Sequence, residues 1–174
     1  MYDPAPLPLP LEGGGWEGVN RSSSPEEVNP ISTTVLILSS SEAHMLSNVA
    51  PDVFDGPVDP QYTAEFFADP RHHLAVALEG DLVVGMASGI HYLHPDKPPE
   101  LFINEVSVSE AWQGQGLGRQ MLDALMAHAR TLGCVAAWVL TEEENTVARR
   151  LYASVGGMEE GVRIFVVPLE EAAP

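Results

Sequence analysis

Apolar positions along the chain fall into short runs and spaced stripes, and their periods predict an alternating set of strands and helices. Val35-Leu36-Ile37-Leu38 is a continuous apolar run, read as a buried strand. Ser41 is placed to cap a short helix ending at Asn48, and residues 60–68 form a second short helical stretch. Leu74-Ala75-Val76-Ala77-Leu78, the turn Glu79-Gly80-Asp81 and the run Leu82–Tyr92 predict a hairpin. His94-Pro95-Asp96-Lys97-Pro98-Pro99 reads as a loop, and Leu101–Val108 as the next strand. From Gly116 to Leu132 the apolar residues Leu117, Met121, Leu122, Leu125, Met126, Ala129 and Leu132 make one helical stripe, which Gly133 ends. Val135–Leu140 predicts a buried strand, Asn145–Ser154 a helix closed by Gly156-Gly157, and Val162–Val167 a last strand. The order predicts an α/β chain with a mixed α+β sheet. Its first half is largely antiparallel, and its second half carries a strand–helix–strand crossover.

Residues 1 to about 30 break this pattern. Pro4, Pro6, Pro8 and Pro10 alternate with small or apolar residues, and Gly13-Gly14-Gly15 and Ser22-Ser23-Ser24 follow. That composition predicts a flexible or extended segment over 1–30 and a folded domain over 31–174. A chain of 174 residues suits one such domain. No apolar run approaches the roughly 20 residues of a membrane helix. The N-terminus also lacks the basic flank and apolar core of a signal peptide, so a cytoplasmic location is expected.

Charge and cysteine content narrow the chemistry. Eight basic and 25 acidic residues give a net charge of -17. That field repels a nucleic-acid backbone and attracts cations, although it also serves plain solubility. Cys134 stands alone in an apolar run, so it has no disulfide or thiolate partner and reads as a small core residue. The histidines show no ligand spacing beyond the neighbours His72-His73, which read as a strand entry, and no metal site is expected.

The strongest chemical signal is Gln113-Gly114-Gln115-Gly116-Leu117-Gly118-Arg119, between a strand and a helix. Alternate glycines let a ligand approach the backbone closely. The first helical amides lack intrahelical partners and, with the helix dipole, form an anion site to which Arg119 adds charge. A dinucleotide fingerprint needs glycine where Arg119 stands, and a Walker loop needs Gly-Lys-Ser/Thr, which is absent. A glycine-rich turn that only ends a strand has the same composition. Further on, Asn145, Ala148 and Tyr152 are spaced to share one helix face. A packed core tyrosine would sit at such a position equally well.

Taken together, the two motifs resemble the GNAT superfamily of N-acetyltransferases. Gln113 to Gly118 matches its Gln/Arg-x-x-Gly-x-Gly/Ala signature, and Asn145 to Gly156 matches Asn-x-x-Ala-x-x-Leu-Tyr-x-x-x-Gly. The resemblance covers roughly residues 32–168. It implies acetyl-coenzyme A as cofactor, with Val106, Ser107 and Val108 pairing with the pantetheine arm. It further implies that Gln113, Gly114, Gln115, Gly116, Leu117, Gly118 and Arg119 hold the pyrophosphate, and that Asn145 and Ala148 lie along the cofactor arm. Tyr152 would protonate the leaving thiolate. The amine would attack the thioester directly, with Glu105 as proton acceptor and a backbone amide near Val108 polarising the carbonyl. A solvent-side strand carboxylate is the alternative reading of Glu105.

Within the superfamily the chain more closely resembles the GNAT-type aminoglycoside 3-N-acetyltransferases of the gentamicin-acetylating group. The likeness rests on Val84-Gly85, Asn104 to Val108, Leu151-Tyr152, Gly156 and Glu159-Glu160. Gln113 and Gly118 depart from that group's usual arginine and alanine. The implied substrate is a cationic small-molecule amine, with Asp52, Asp55, Glu105, Glu142, Glu143 and Glu144 as its acidic wall. The readings kept beside it are acetylation of a polyamine, an amino acid or a protein amine, and a non-catalytic acetyl-CoA sensor. With one strand after the second helix, a partner subunit is expected to complete the site, as a homodimer.

Overall fold

The computed structural model describes residues 33–169. The N-terminal segment expected to be flexible, and its boundary near residue 30, lie outside the described residues. Strands β1 (Thr33–Ile37), β2 (His72–Glu79), β3 (Leu82–His94), β4 (Lys97–Val108) and β5 (Ala137–Trp138) form one sheet in chain order. The first four pair antiparallel, while β5 runs parallel to β4. Helices are α1 (Pro60–Ala68), α2 (Leu117–Thr131) and α3 (Thr146–Ser154).

Local chemistry explains the ends of these elements. Asp59 caps α1, its Oδ1 accepting from the amides of Gln61 at 2.7 Å and Tyr62 at 3.1 Å, and Pro60 fills the first helical position. The segment expected to be a helix from Ser41 is a 3₁₀ segment, Ser40–Ser47. Its start is fixed by Ser39, whose amide and hydroxyl donate to Glu42 Oε2 at 2.9 and 2.8 Å.

The sheet carries a core on each face. The stripe foreseen on α2 is buried as Leu117, Met121, Leu122, Leu125 and Ala129, against Ala75, Ala77, Ala87, Leu101 and Ile103. The opposite face packs Leu74, Val76, Val83 and Met86 under the 3₁₀ segment and α1, with Phe66 and Phe67 at its border. At Gly89 a Cβ would lie 3.0 Å from the Phe102 carbonyl oxygen and 3.4 Å from Leu125, so neighbouring strand and helix close over a residue without a side chain.

Three expectations are corrected. Pro98 and Pro99 belong to β4, not to a loop; only Pro95-Asp96 turns between β3 and β4. Proline is tolerated there because this end of β4 lies at the start of the strand, where a ladder donor is dispensable. The strand expected to be buried over Val135–Leu140 shrinks to Ala137–Trp138, with Trp138 41% exposed, because only Leu101 and Phe102 of β4 pair with it. Val162–Val167 forms no strand; among the described residues no neighbouring backbone supplies its hydrogen bonds, and Phe165 is 88% exposed.

Three histidines link the first core to the sheet. Nε2 of His73 lies 2.8 Å from Nδ1 of His91, and Nδ1 of His73 lies 3.1 Å from Nε2 of His128. His73 is buried, 6% exposed, and uses a different ring nitrogen toward each partner, so the three do not converge on one point. Burial first, then His128, His91 and His72, push its pKa down to about 4. The unfolded chain takes up this proton near pH 6.5, whereas the folded chain refuses it until about pH 4. Stability is therefore expected to fall as pH drops through that window, by on the order of 2–3 kcal/mol from this group. Urea midpoints at pH 7 and pH 5 check this. The drop should be smaller in His73→Phe than in the parent chain.

Candidate active site

The loop between β4 and α2 is built from two left-handed glycines. Gly114 has φ +75° and Gly116, the residue before α2, has φ +79°. A side chain at either position would be strained, and nothing lies within 4 Å of a Cβ placed on Gly114. The first amides of α2 follow at once, as an anion cradle requires. Gly118 is close-packed instead: a Cβ there would sit 3.3 Å from Leu151, which is how α3 approaches the start of α2. Arg119 is exposed and lies 3.7 Å from Asp123 across one helical turn, leaving its guanidinium only loosely paired.

Three hydrogen bonds from side chains brace this loop, two of them to the sheet. Gln113 Nε2 donates to the Val108 carbonyl at 2.9 Å. Trp112 Nε1 donates to Glu79 Oε2 at 2.6 Å, tying the loop to the β2–β3 turn. Asp52 Oδ2 accepts from the Glu110 amide at 2.7 Å. That amide, and then the Ser109 hydroxyl, hold the Asp52 carboxyl below its usual range. Replacing Trp112 by Phe removes one brace and keeps the ring. The expected result is a rise of about tenfold in KM for acetyl-CoA at nearly constant kcat, measured by thiol release.

Beside the loop, β4 opens toward β5. The two strands pair at Leu101 and Phe102 alone, so among the described residues no strand covers the outer edge of β4 from Ile103 to Val108. Val106, Ser107 and Val108 are half-buried along that edge. Ser109 donates its amide to Val84 of β3, so by alternation the backbone groups of Val106 and Val108 point outward, where, apart from the Val108 carbonyl that accepts from Gln113, they are open to an extended ligand. Asn145, Ala148 and Tyr152 sit on α3. Asn145 Oδ1 caps that helix by accepting from the Ala148 amide at 3.0 Å. Tyr152 is half-buried, and burial raises its pKa, keeping the phenol protonated.

Glu105 owes its position to an irregularity in β4. Ser88 pairs with Glu105 but Gly89 pairs with Ile103, so Asn104 is an extra residue. Upstream of it, Leu101 and Ile103 face α2; downstream, Val106 and Val108 do so. The bulge reverses the alternation and turns Glu105 to the other face, toward α1. There it lines a cavity of about 370 Å³ together with Asp55, Phe54, Tyr62, Phe66 and Phe67. Burial, then the charge of Asp55, raises the Glu105 pKa.

The expected acidic wall separates into three places. Asp55 and Glu105 share the cavity. Asp52 braces the Glu110 segment. Glu142, Glu143 and Glu144 lie exposed before α3, where the Glu143 carbonyl accepts from Arg149. The aromatic residues of the cavity were not singled out from the sequence. Their only advance signal was the Phe66-Phe67 doublet on a short helix.

A sheet split beside a glycine loop and helix N-terminus, with a carboxylate cavity on the far face, suits a site for an anionic ligand on one side and a cationic one on the other. Residues 43–157 match the Acetyltransferase (GNAT) family. The chain belongs to this family of acetyl-CoA-dependent acetyltransferases. It is similar to the N-alpha-acetyltransferase RimI of Mycobacterium tuberculosis, 35% identical over 75% of this chain and 81% of that one. Among solved structures, the fold is shared with an aminoglycoside acetyltransferase from an uncultured soil metagenomic sample, in complex with sisomicin. That match has TM-score 0.69 and 19% identity, over 79% of this chain and 97% of the other. It is also shared with AAC(6')-Iy in complex with a bisubstrate analogue, at TM-score 0.66 and 17% identity, over 79% and 98% of the two chains. Among the described residues no helix is long and apolar enough to cross a membrane, and no group of His, Cys, Asp and Glu is arranged to hold a metal ion.

Proposed function

We propose that this chain transfers acetyl from acetyl-CoA to a primary amine that enters the Asp55–Glu105 cavity. The observation that carries the reading is Glu105: a partly desolvated carboxyl with a raised pKa, turned by the β4 bulge into a cavity. Such a carboxylate takes a proton from the bound ammonium and leaves the neutral amine that attacks the thioester. The glycine loop with the first amides of α2, from Gln113 to Arg119, would hold the pyrophosphate. The open edge at Val106–Val108 would pair with the pantetheine arm, near Asn145 and Ala148. Tyr152, protonated, would donate to the departing thiolate.

Two amines fit this machinery. The α-amino group of a peptide is favoured by the likeness to an N-alpha-acetyltransferase across most of both chains. An aminoglycoside amine, the 3-amino group in the narrower reading, is favoured by the net charge of -17. The shared fold at under 20% identity does not choose between them. Thiol release from acetyl-CoA with peptides, gentamicin, sisomicin and spermidine separates them. Cofactor binding without turnover of any amine would leave a sensor in place of an enzyme. The reading includes a homodimer, supported by the exposed apolar run Val162, Ile164, Phe165, Val166 and Val167, which a second copy would cover. Sedimentation of the full chain as a monomer at micromolar concentration would remove it.

A further inference from the structure

The distribution of charge within the cavity bears on which amine it admits. Three carboxylates line it: Asp55, Asp59 and Glu105. Asp59 is committed to capping α1 through two amides. Asp55 and Glu105 remain, and they lie close enough for one to raise the pKa of the other. The rest of the wall is mostly apolar, with Phe54, Val58, Phe66 and Phe67 at the sides and Leu74 and Met86, both nearly fully buried, behind them. Tyr62, Thr63 and Ser88 add hydroxyls, of which that of Thr63 already donates to the Asp59 carbonyl. The cavity therefore holds one cation-binding subsite beside a largely hydrophobic one. The other acids near the described site, Glu142 to Glu144, are on the exposed α3 approach and do not line it.

A polyhydroxylated polycation matches this poorly. Its further ammonium groups would meet only the capping carboxylate Asp59 and its many hydroxyls only Tyr62 and Ser88, so most of them would lose water against phenylalanine without gaining partners. We infer that the preferred substrate is a primary amine whose neighbouring carbon carries a compact apolar group. The ammonium sits between Asp55 and Glu105, and the apolar group lies against Phe54, Phe66 and Phe67. This inference rests on the proposed acetyl transfer at the same cavity. A peptide beginning with an apolar residue and a free arylalkyl or alkyl amine present the same chemistry.

The test uses the full chain with acetyl-CoA and a series of tetrapeptides that differ only in the first residue: Phe, Leu, Ala, Lys or Asp. Phenethylamine, isoamylamine, spermidine and gentamicin are run beside them. Expected are kcat/KM values for the Phe or Leu peptide on the order of 10–100-fold above the Lys peptide, spermidine and gentamicin. Peptides outpacing the free amines, or the reverse, identifies the source of the shared group. In Phe66→Ala the ratio of Phe to Ala peptide should fall several-fold; the parent series decides the matter if that variant does not fold. Equal or higher kcat/KM for the Lys peptide or gentamicin overturns the apolar preference while leaving acetyl transfer standing. Tight acetyl-CoA binding with no turnover of any amine overturns the transferase reading, and the preference with it.

Discussion

Glu105→Gln lowers kcat/KM for the amine by about 10²–10⁴-fold, the usual contribution of a positioned general base, and leaves acetyl-CoA affinity unchanged. The attacking group must be a neutral amine, and at neutral pH most of it is ammonium. A carboxylate is a useful acceptor when its pKa approaches the working pH, and burial and Asp55 push Glu105 in that direction. The sign follows. Only the ionised carboxylate accepts a proton, so kcat/KM of the parent chain rises with pH through the raised Glu105 pKa. Gln at 105 cannot titrate, and that acid limb disappears. Asp55→Asn removes the second cause of the shift and moves the limb to lower pH. Glutamine keeps the shape of the side chain and removes a partly desolvated charge, so the denaturant midpoint should not fall. Activity within threefold of the parent, with the acid limb intact, would remove Glu105 from the reaction.

Much of what holds the site was readable along the chain. The stripe Leu117, Met121, Leu122, Leu125, Ala129 follows the helical period strictly, because one face of α2 lies across the sheet and the other faces water. The β2–β3 hairpin declared itself through Glu79-Gly80-Asp81, with Gly80 at φ +60°. Glycines at 114 and 116 were legible because left-handed backbone leaves few other choices. The orientation of Glu105 was not. By simple alternation it shares the face of Leu101 and Ile103, and only the unpaired Asn104 sends it the other way. A bulge of this kind is a property of two strands in register, so β4 read alone does not announce it. The cavity likewise joins residues 54–67 to residue 105, a proximity that no local period encodes. Val135–Leu140 and Val162–Val167 have strand-like composition, but a strand also needs a neighbour, and β4 pairs only briefly on that side.

Tyr152→Phe lowers kcat by about 10²-fold, toward the small end of what a proton donor contributes, with little change in KM for acetyl-CoA. Burial raises the pKa of this phenol above its ordinary value of 10, so it stays protonated across the working range. A departing thiolate has an ordinary pKa near 8.5. Full proton transfer from the phenol to the thiolate is therefore uphill, and what Tyr152 offers is a strong hydrogen bond to developing negative charge in a half-buried place. The loss on removing the hydroxyl should consequently be smaller than the loss at Glu105. It should also be independent of pH between 6 and 9, since no group at position 152 titrates there in either protein. The ring packs with Leu151 and Val155 against the first core, and phenylalanine keeps that contact, so thermal stability provides the control. A full-rate Tyr152→Phe enzyme would make this residue a packing tyrosine of α3. A loss that shrinks as pH rises would instead mean that the phenol ionises within that range, since the parent chain would then lose a donor that the Phe variant never had. One conservative substitution and one pH series thus separate a donor that stays protonated from one that titrates, and both from packing.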